Sequence, residues 1–220
     1  MTPPSREIEL RVLRTARCVV LGSAAEPHSR CWYVLHGYGQ LARQFAGSAA
    51  LLVEGGGMLV APEALSRFYR ATAEVASHGA APVGASWMTR EGRDAEIADY
   101  VEYLDAVHRA VGAAGGDVAV LGFSQGAATA ARWATLGAIR PRHLVLWGGV
   151  EPDDLDDAAR ARLAGVRVTY VHGTRDRIAD AEEMIRRADA LTAAGGRAEV
   201  IKFDGGHRLD DGILSRLAAT

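Results

Sequence analysis

Short apolar runs alternate with longer amphipathic or alanine-rich stretches along this chain. CWYVLHG (31–37), MLVAP (58–62), DVAVLGF (117–123), HLVLWGG (143–149), VRVTYVHG (166–173) and AEVIKF (198–203) read as strands. The last four are nearly continuous in apolar character, as parallel strands buried on both faces are. EIELRVL (7–13) and RCVVLG (17–22) predict an opening strand pair. The clearest helix lies in residues 90–116, where Ile97, Tyr100, Val101, Leu104, Val107 and Val111 fall on one face and glycines end the run. Further helices are expected in 44–56, 125–137, 154–165, 181–196 and 210–220. Residues 66–89 show no convincing period and read as a long connection over one end of the sheet. Strand and helix alternating in this way predict an α/β fold, a mostly parallel central sheet flanked by helices on both faces.

Composition narrows the picture. A chain of 220 residues, 49% hydrophobic and 24% charged, fits one domain over 1–220 and leaves no room for a cap domain. Net charge is -2, and Lys202 is the only lysine among scattered arginines, so nothing suggests a nucleic-acid footprint. The charged N-terminal stretch lacks a signal-peptide core, and no uncharged apolar run approaches the roughly 20 residues that span a bilayer, which predicts no membrane partner and a cytoplasmic protein. Cys18 and Cys31 stand on the first strands and read as free thiols, given that compartment. A homodimer is left open.

The chemistry centres on GFSQG (122–126), between a buried strand and an alanine-rich helix. A serine on a tight strand-to-helix turn projects Oγ above the carboxyl edge of the sheet, and the flanking glycines allow strand and helix to approach closely. Ser124 is therefore the candidate nucleophile, and the N–H of Gln125, at the helix start, can stabilise negative charge on a substrate oxygen. A serine hydroxyl needs a base, and the base an orienting carboxylate. His207 in DGGHR and Asp176 in VHGTRDR each follow a later strand, in the chain order Ser, Asp, His that this arrangement requires.

Asp180 is the rival carboxylate but is better placed to cap the helix beginning near Ala181. His108 is expected on the exposed side of a helix, His143 at a strand start, His28 in a turn and His78 in the long connection. His172 reads as structural, holding the loop that carries Asp176. After the strand at 31–37, LHGYG leads into a turn whose N–H at Tyr38 can complete a two-donor oxyanion hole with Gln125. GYGQLA also fits the dinucleotide pattern G-x-G-x-x-A, with Glu63 near the right distance for a ribose. An oxidoreductase reading has Pro62 before that acid against it and makes the Ser-Asp-His order a coincidence. No cluster of histidines or cysteines has metal-ligand spacing.

Together LHGYG, LVAPEALSRFY, GFSQGAATAARW, HGTRD and GGH resemble the α/β-hydrolase superfamily, and within it the phospholipase/carboxylesterase family that includes the acyl-protein thioesterases. The resemblance implies a lidless serine esterase that needs no cofactor and acts on small ester substrates. By that resemblance Ser124 is acylated, His207 is base and then acid, Asp176 orients it, and Tyr38 and Gln125 match the oxyanion positions. Trp87, Phe68, Tyr69 and Tyr38 are candidate walls of an open acyl cleft. The expected function is hydrolysis of short to medium acyl esters, with thioester or lysophospholipid hydrolysis on the same site as the alternative. A binding protein on a hydrolase scaffold is disfavoured, since a pure binder needs no such acid and base.

Overall fold

The computed structural model describes every residue except 1, 2, 4, 24–29, 71–80 and 113–116. In chain order it builds β1 (Cys18–Ser23), β2 (Cys31–Leu35), α1 (Ala42–Ser48), β3 (Gly57–Pro62), β4 (Ser66–Tyr69), β5 (Val83–Ser86), α2 (Arg93–Val111), β6 (Val118–Phe123), α3 (Gln125–Leu136), β7 (His143–Trp147), α4 (Asp157–Ala161), β8 (Arg167–Gly173), α5 (Ala181–Ala193), β9 (Arg197–Phe203) and α6 (Asp211–Ala218). Side chains along the central strands divide between two cores. In β2, Cys31, Tyr33 and Leu35 join Tyr100 and Leu104 of α2, Trp133 of α3 and Met184 of α5 on one face. Trp32 and Val34 join Phe45 of α1 and Leu214 and Leu217 of α6 on the other. Burial on both faces is what the unbroken apolar runs encode. Among the described residues no helix is long and apolar enough to cross a membrane.

Seven strands form the main sheet in the order β1-β3-β2-β6-β7-β8-β9, parallel except for β1, which pairs antiparallel with β3. The chain leaves β2 towards β3 on one side, and β6 lies on the other. The loops after β2 and β6 therefore diverge at a switch point, where open α/β sheets form their ligand crevice.

Several expectations need correction. Residues 7–13 form no strand: the first strand is Cys18–Ser23, and its partner is β3, not the segment before it. The 66–89 connection contains a two-stranded sheet of β4 and β5, whose four-residue strands are too short to show a period. The helix expected over 44–56 is α1 followed by a 3-10 turn over Ala50–Val53, and that of 154–165 shrinks to Asp157–Ala161. The expectation of free thiols holds for Cys18 and Cys31, and burial pushes the pKa of both up to about 11. His108 is half-buried rather than exposed, 2.8 Å from the Tyr33 hydroxyl. His28 and His78 lie outside the described residues.

His143 opens β7 with its ring buried and Nε2 2.9 Å from Thr169 Oγ1. Burial, reinforced by Arg167 and Arg30 against the weaker opposing pull of Glu199 and Asp117, pushes its pKa down to about 4. The unfolded chain titrates this group near its ordinary value of about 6.5, so it binds more protons than the native state between those values. The resulting stability, on the order of 3 kcal/mol, is complete above about pH 6.5 and is lost as pH falls towards 4. Urea midpoints should drop over that window, and by less in His143→Gln, which keeps a polar contact to Thr169 but cannot take the proton.

Candidate active site

β6 ends at Phe123 and α3 begins at Gln125, leaving Ser124 alone to turn the chain. It does so at φ 54°, ψ -118°, the only positive φ of a non-glycine residue among those described. A conformation of that kind costs roughly 1–3 kcal/mol and persists only where the surroundings impose it. Here the Ser124 N–H donates to the Trp147 carbonyl at 2.8 Å, tying the turn to the end of β7. Both glycines of GFSQG are required by close approach. A Cβ on Gly122 would stand 2.1 Å from the Gly126 carbonyl oxygen, and one on Gly126 would stand 2.1 Å from that of Leu35. Any side chain there would push α3 off the sheet and move Ser124 with it.

Asp176 lies in the loop after β8 and His207 in the loop after β9. The two meet: His207 Nδ1 is 2.7 Å from Asp176 Oδ2, and the Asp176 side chain is only 2% exposed. The other carboxylate oxygen accepts the N–H groups of Ile178 at 2.8 Å and Ala179 at 3.1 Å. Burial raises the Asp176 pKa, but the hydrogen bonds from His207, Ile178 and Ala179 outweigh it and hold the group below the usual carboxylate range. Across the same loop, His172 Nε2 is 3.2 Å from the Ala179 carbonyl. Asp180, the rival, caps α5 by accepting from the N–H of Glu182 and Glu183. The His207 ring packs over Phe123, centroids 4.8 Å apart, which brings it beside the elbow. No hydrogen bond links Ser124 Oγ to His207 among the described residues; such bonds are often long in a free enzyme and tighten when substrate binds.

Gly148 and Gly149, at the carboxyl end of β7, make this meeting possible. A Cβ on Gly148, whose φ is 61°, would lie 2.9 Å from His207 Cε1, and one on Gly149 would lie 2.9 Å from the Ser124 carbonyl oxygen. Neither glycine belongs to the motifs that single out Ser124, Asp176 and His207. The pair's signal was present, a double glycine directly after the buried run HLVLW at the edge where the site forms.

The turn 36–40 passes beside Ser124: a Cβ on Gly37 would be 3.3 Å from Ser124 Cβ. Its shape is held from several sides. Gln40 Oε1 accepts the Gly37 N–H at 2.7 Å, and Gly39 N–H donates to the Ala85 carbonyl of β5 at 2.9 Å. His36 is fully buried; Nε2 accepts the Ala64 N–H at 3.1 Å, which leaves Nδ1 to donate to the Gly37 carbonyl at 2.8 Å. Burial lowers the His36 pKa, which keeps that neutral tautomer. The N–H of Gln125 is among the first of α3, which have no partner within the helix.

Trp87 departs from its expected place on an open wall. It is 2% exposed, and its indole N–H donates to the His36 carbonyl at 2.8 Å while its backbone N–H donates to Gln125 Oε1 at 3.1 Å. Gln125 Nε2 in turn donates to the Met88 carbonyl at 2.8 Å. Trp87 and the Gln125 side chain thus brace the turn carrying Tyr38 against the elbow carrying the Gln125 N–H. Phe68 on β4 stacks on the exposed Tyr38 ring, centroids 5.0 Å apart, and Tyr69 is also exposed. Glu63, required by the dinucleotide reading, is 4% exposed and pairs with Arg17 and Arg67, so it does not face a ligand. Among the described residues no group of three or more His, Cys, Asp or Glu is arranged to hold a metal ion.

No curated protein matches the sequence. Solved structures similar in fold include the Zea mays acyl-protein thioesterase 2, at 18% identity over 93% of this chain and 99% of that one, with a TM-score of 0.69. Esterase PE8 is 20% identical over 93% and 96% of the two chains, TM-score 0.67. The Bacillus cereus carboxylesterase is 17% identical over 93% and 92%, TM-score 0.67. At these identities the likeness is one of fold, the α/β-hydrolase fold that the early motifs resemble. The sequence itself carries the further step: residues 28–209 match the profile of the serine hydrolase family FSH1, and the chain belongs to that family.

Proposed function

We propose that the protein is a carboxylesterase that hydrolyses short to medium acyl esters through an acyl-enzyme on Ser124. The observation that carries this reading is the Asp176–His207 hydrogen bond beside the strained Ser124 elbow. His207 Nε2 takes the Ser124 proton as Oγ attacks the acyl carbon, and Asp176 holds Nδ1–H so that Nε2 is the free base. The tetrahedral oxyanion rests on the N–H groups of Tyr38 and Gln125. Collapse breaks the bond to the alcohol oxygen, which receives the proton from His207. Water, deprotonated by the same nitrogen, then releases the acid and restores Ser124. The stacked Tyr38 and Phe68 rings, with Tyr69, offer an apolar rim against which the substrate lies.

Thioesters present the same acyl carbon, and one structural neighbour is an acyl-protein thioesterase. The two readings separate on a matched series of aryl esters and acyl-CoA thioesters from acetyl to octanoyl. The proposal expects higher kcat/KM on the esters at every chain length. Faster turnover of the thioesters would transfer the assignment to the alternative.

A further inference from the structure

The N-terminal segment EIELRVL belongs to no strand, yet it has the composition of one. Through residue 12 its odd-numbered positions Glu7, Glu9 and Arg11 are charged and the even-numbered Ile8, Leu10 and Val12 are apolar; the apolar Leu13 falls on the charged side. In an extended chain successive side chains point to opposite faces, so these sets separate onto two sides. Ile8, Leu10 and Val12 are 65%, 77% and 81% exposed. β1 is the outermost strand of the sheet, yet residues 7–13 form no ladder with it; the chain entering β1 runs beside α2, where the residue 17 carbonyl accepts from the Tyr103 hydroxyl at 2.9 Å as well as from the Glu63 N–H at 3.0 Å. Farther out, Arg11 reaches Glu102 on α2 at 2.5 Å, and Asp99 at 3.6 Å. The chain is thereby carried across α2 with its apolar positions facing away from any partner in its own fold.

The pattern is complementary to itself. If two copies pair antiparallel about a two-fold axis at Leu10, then Leu10 lies opposite Leu10, Ile8 opposite Val12, and Glu9 opposite Arg11, each heterologous pair occurring twice. Ile8, Leu10 and Val12 then meet across strands on one face and Glu9 meets Arg11 on the other, the arrangement that stabilises antiparallel strands, while the end pairs set Glu7 against Leu13. A closed two-fold dimer requires a surface that matches its own copy in this way. Two strands alone are marginal in water. The ribbon would gain a further anchor on each copy, because Arg11 holds the segment to Glu102 and Asp99 of α2.

We infer that residues 7–13 are a dimerisation strand, pairing antiparallel with the same segment of a second copy in the register that sets Leu10 against Leu10. The inference is independent of the proposed esterase activity. Cross-linking tests it directly, since paired Cα atoms about 4.5–5.5 Å apart lie within disulfide reach. In a Cys18→Ser background, Leu10→Cys should form a covalent dimer under diamide at least ten times faster than Ile8→Cys. An equal mixture of Ile8→Cys and Val12→Cys should cross-link chiefly as the mixed pair. Glu9→Arg and Arg11→Glu should each be monomeric by sedimentation equilibrium at concentrations where the parent dimerises, and should form a dimer when mixed. All of these residues are exposed; Arg11→Glu also removes the surface pair with Glu102 and Asp99, so its monomeric state counts only together with that of Glu9→Arg and with recovery on mixing, and ester turnover should be unchanged in both. A parent that stays monomeric at every concentration, a Leu10→Cys variant no faster than Ile8→Cys, or charge variants that fail to pair when mixed would each overturn the inference.

Discussion

Ser124→Ala is expected to lower kcat by roughly 10⁴-fold or more with the fold intact, since removal of a triad nucleophile leaves only the contributions of oxyanion binding and substrate positioning. The fold should survive because alanine demands no more space. The strained backbone at φ 54° remains, held by the Ser124 N–H to Trp147 carbonyl bond and by the contact of Gly122 with Gly126. A fluorophosphonate should label the parent protein once, at Ser124, and leave the alanine variant unlabelled. Thermal midpoints of the two should agree closely. Labelling at another serine, or retained turnover in the variant, would move the nucleophile elsewhere.

Asp176→Asn is expected to lose roughly 10³- to 10⁴-fold in kcat with KM nearly unchanged, because an amide in that position holds His207 in the wrong tautomer and gives no charge to balance the imidazolium. Its Oδ1 can still accept the N–H groups of Ile178 and Ala179, so the loop should keep its form. Asp180→Asn is the matched control four residues along. Asp180 is exposed, its carboxylate accepts the first N–H groups of α5, and Asn also caps helices well. That variant should keep most activity and lose at most about 1 kcal/mol of stability. A crippled Asp180→Asn beside an active Asp176→Asn would transfer the orienting role.

Sequence by itself determined the succession of buried strands and amphipathic helices, and with it the α/β class, because burial on one or both faces leaves a period in a single element wherever that element is long enough. It also singled out Ser124, Asp176 and His207 as residues at the carboxyl ends of buried runs, since strand ends and glycine turns are local features. The tertiary structure alone decided which of these ends meet. Nothing local in HLVLWGG reveals that Gly148 must leave room for the His207 ring, or in SWM that Trp87 is a buried brace to the His36 carbonyl and not a cleft wall. The first follows from the order β2-β6-β7-β8-β9, which sets five loops side by side, and the second from the packing of the segment after β5 on the turn after β2. The segment 7–13 fails for the same reason in reverse: its period is that of a strand, but a strand exists only when another edge accepts its hydrogen bonds. Within this chain the segment pairs with no strand, although β1 stands at the edge of the sheet. Periodicity records what one stretch of chain prefers, while pairing depends on distant elements whose packing no window along the sequence contains.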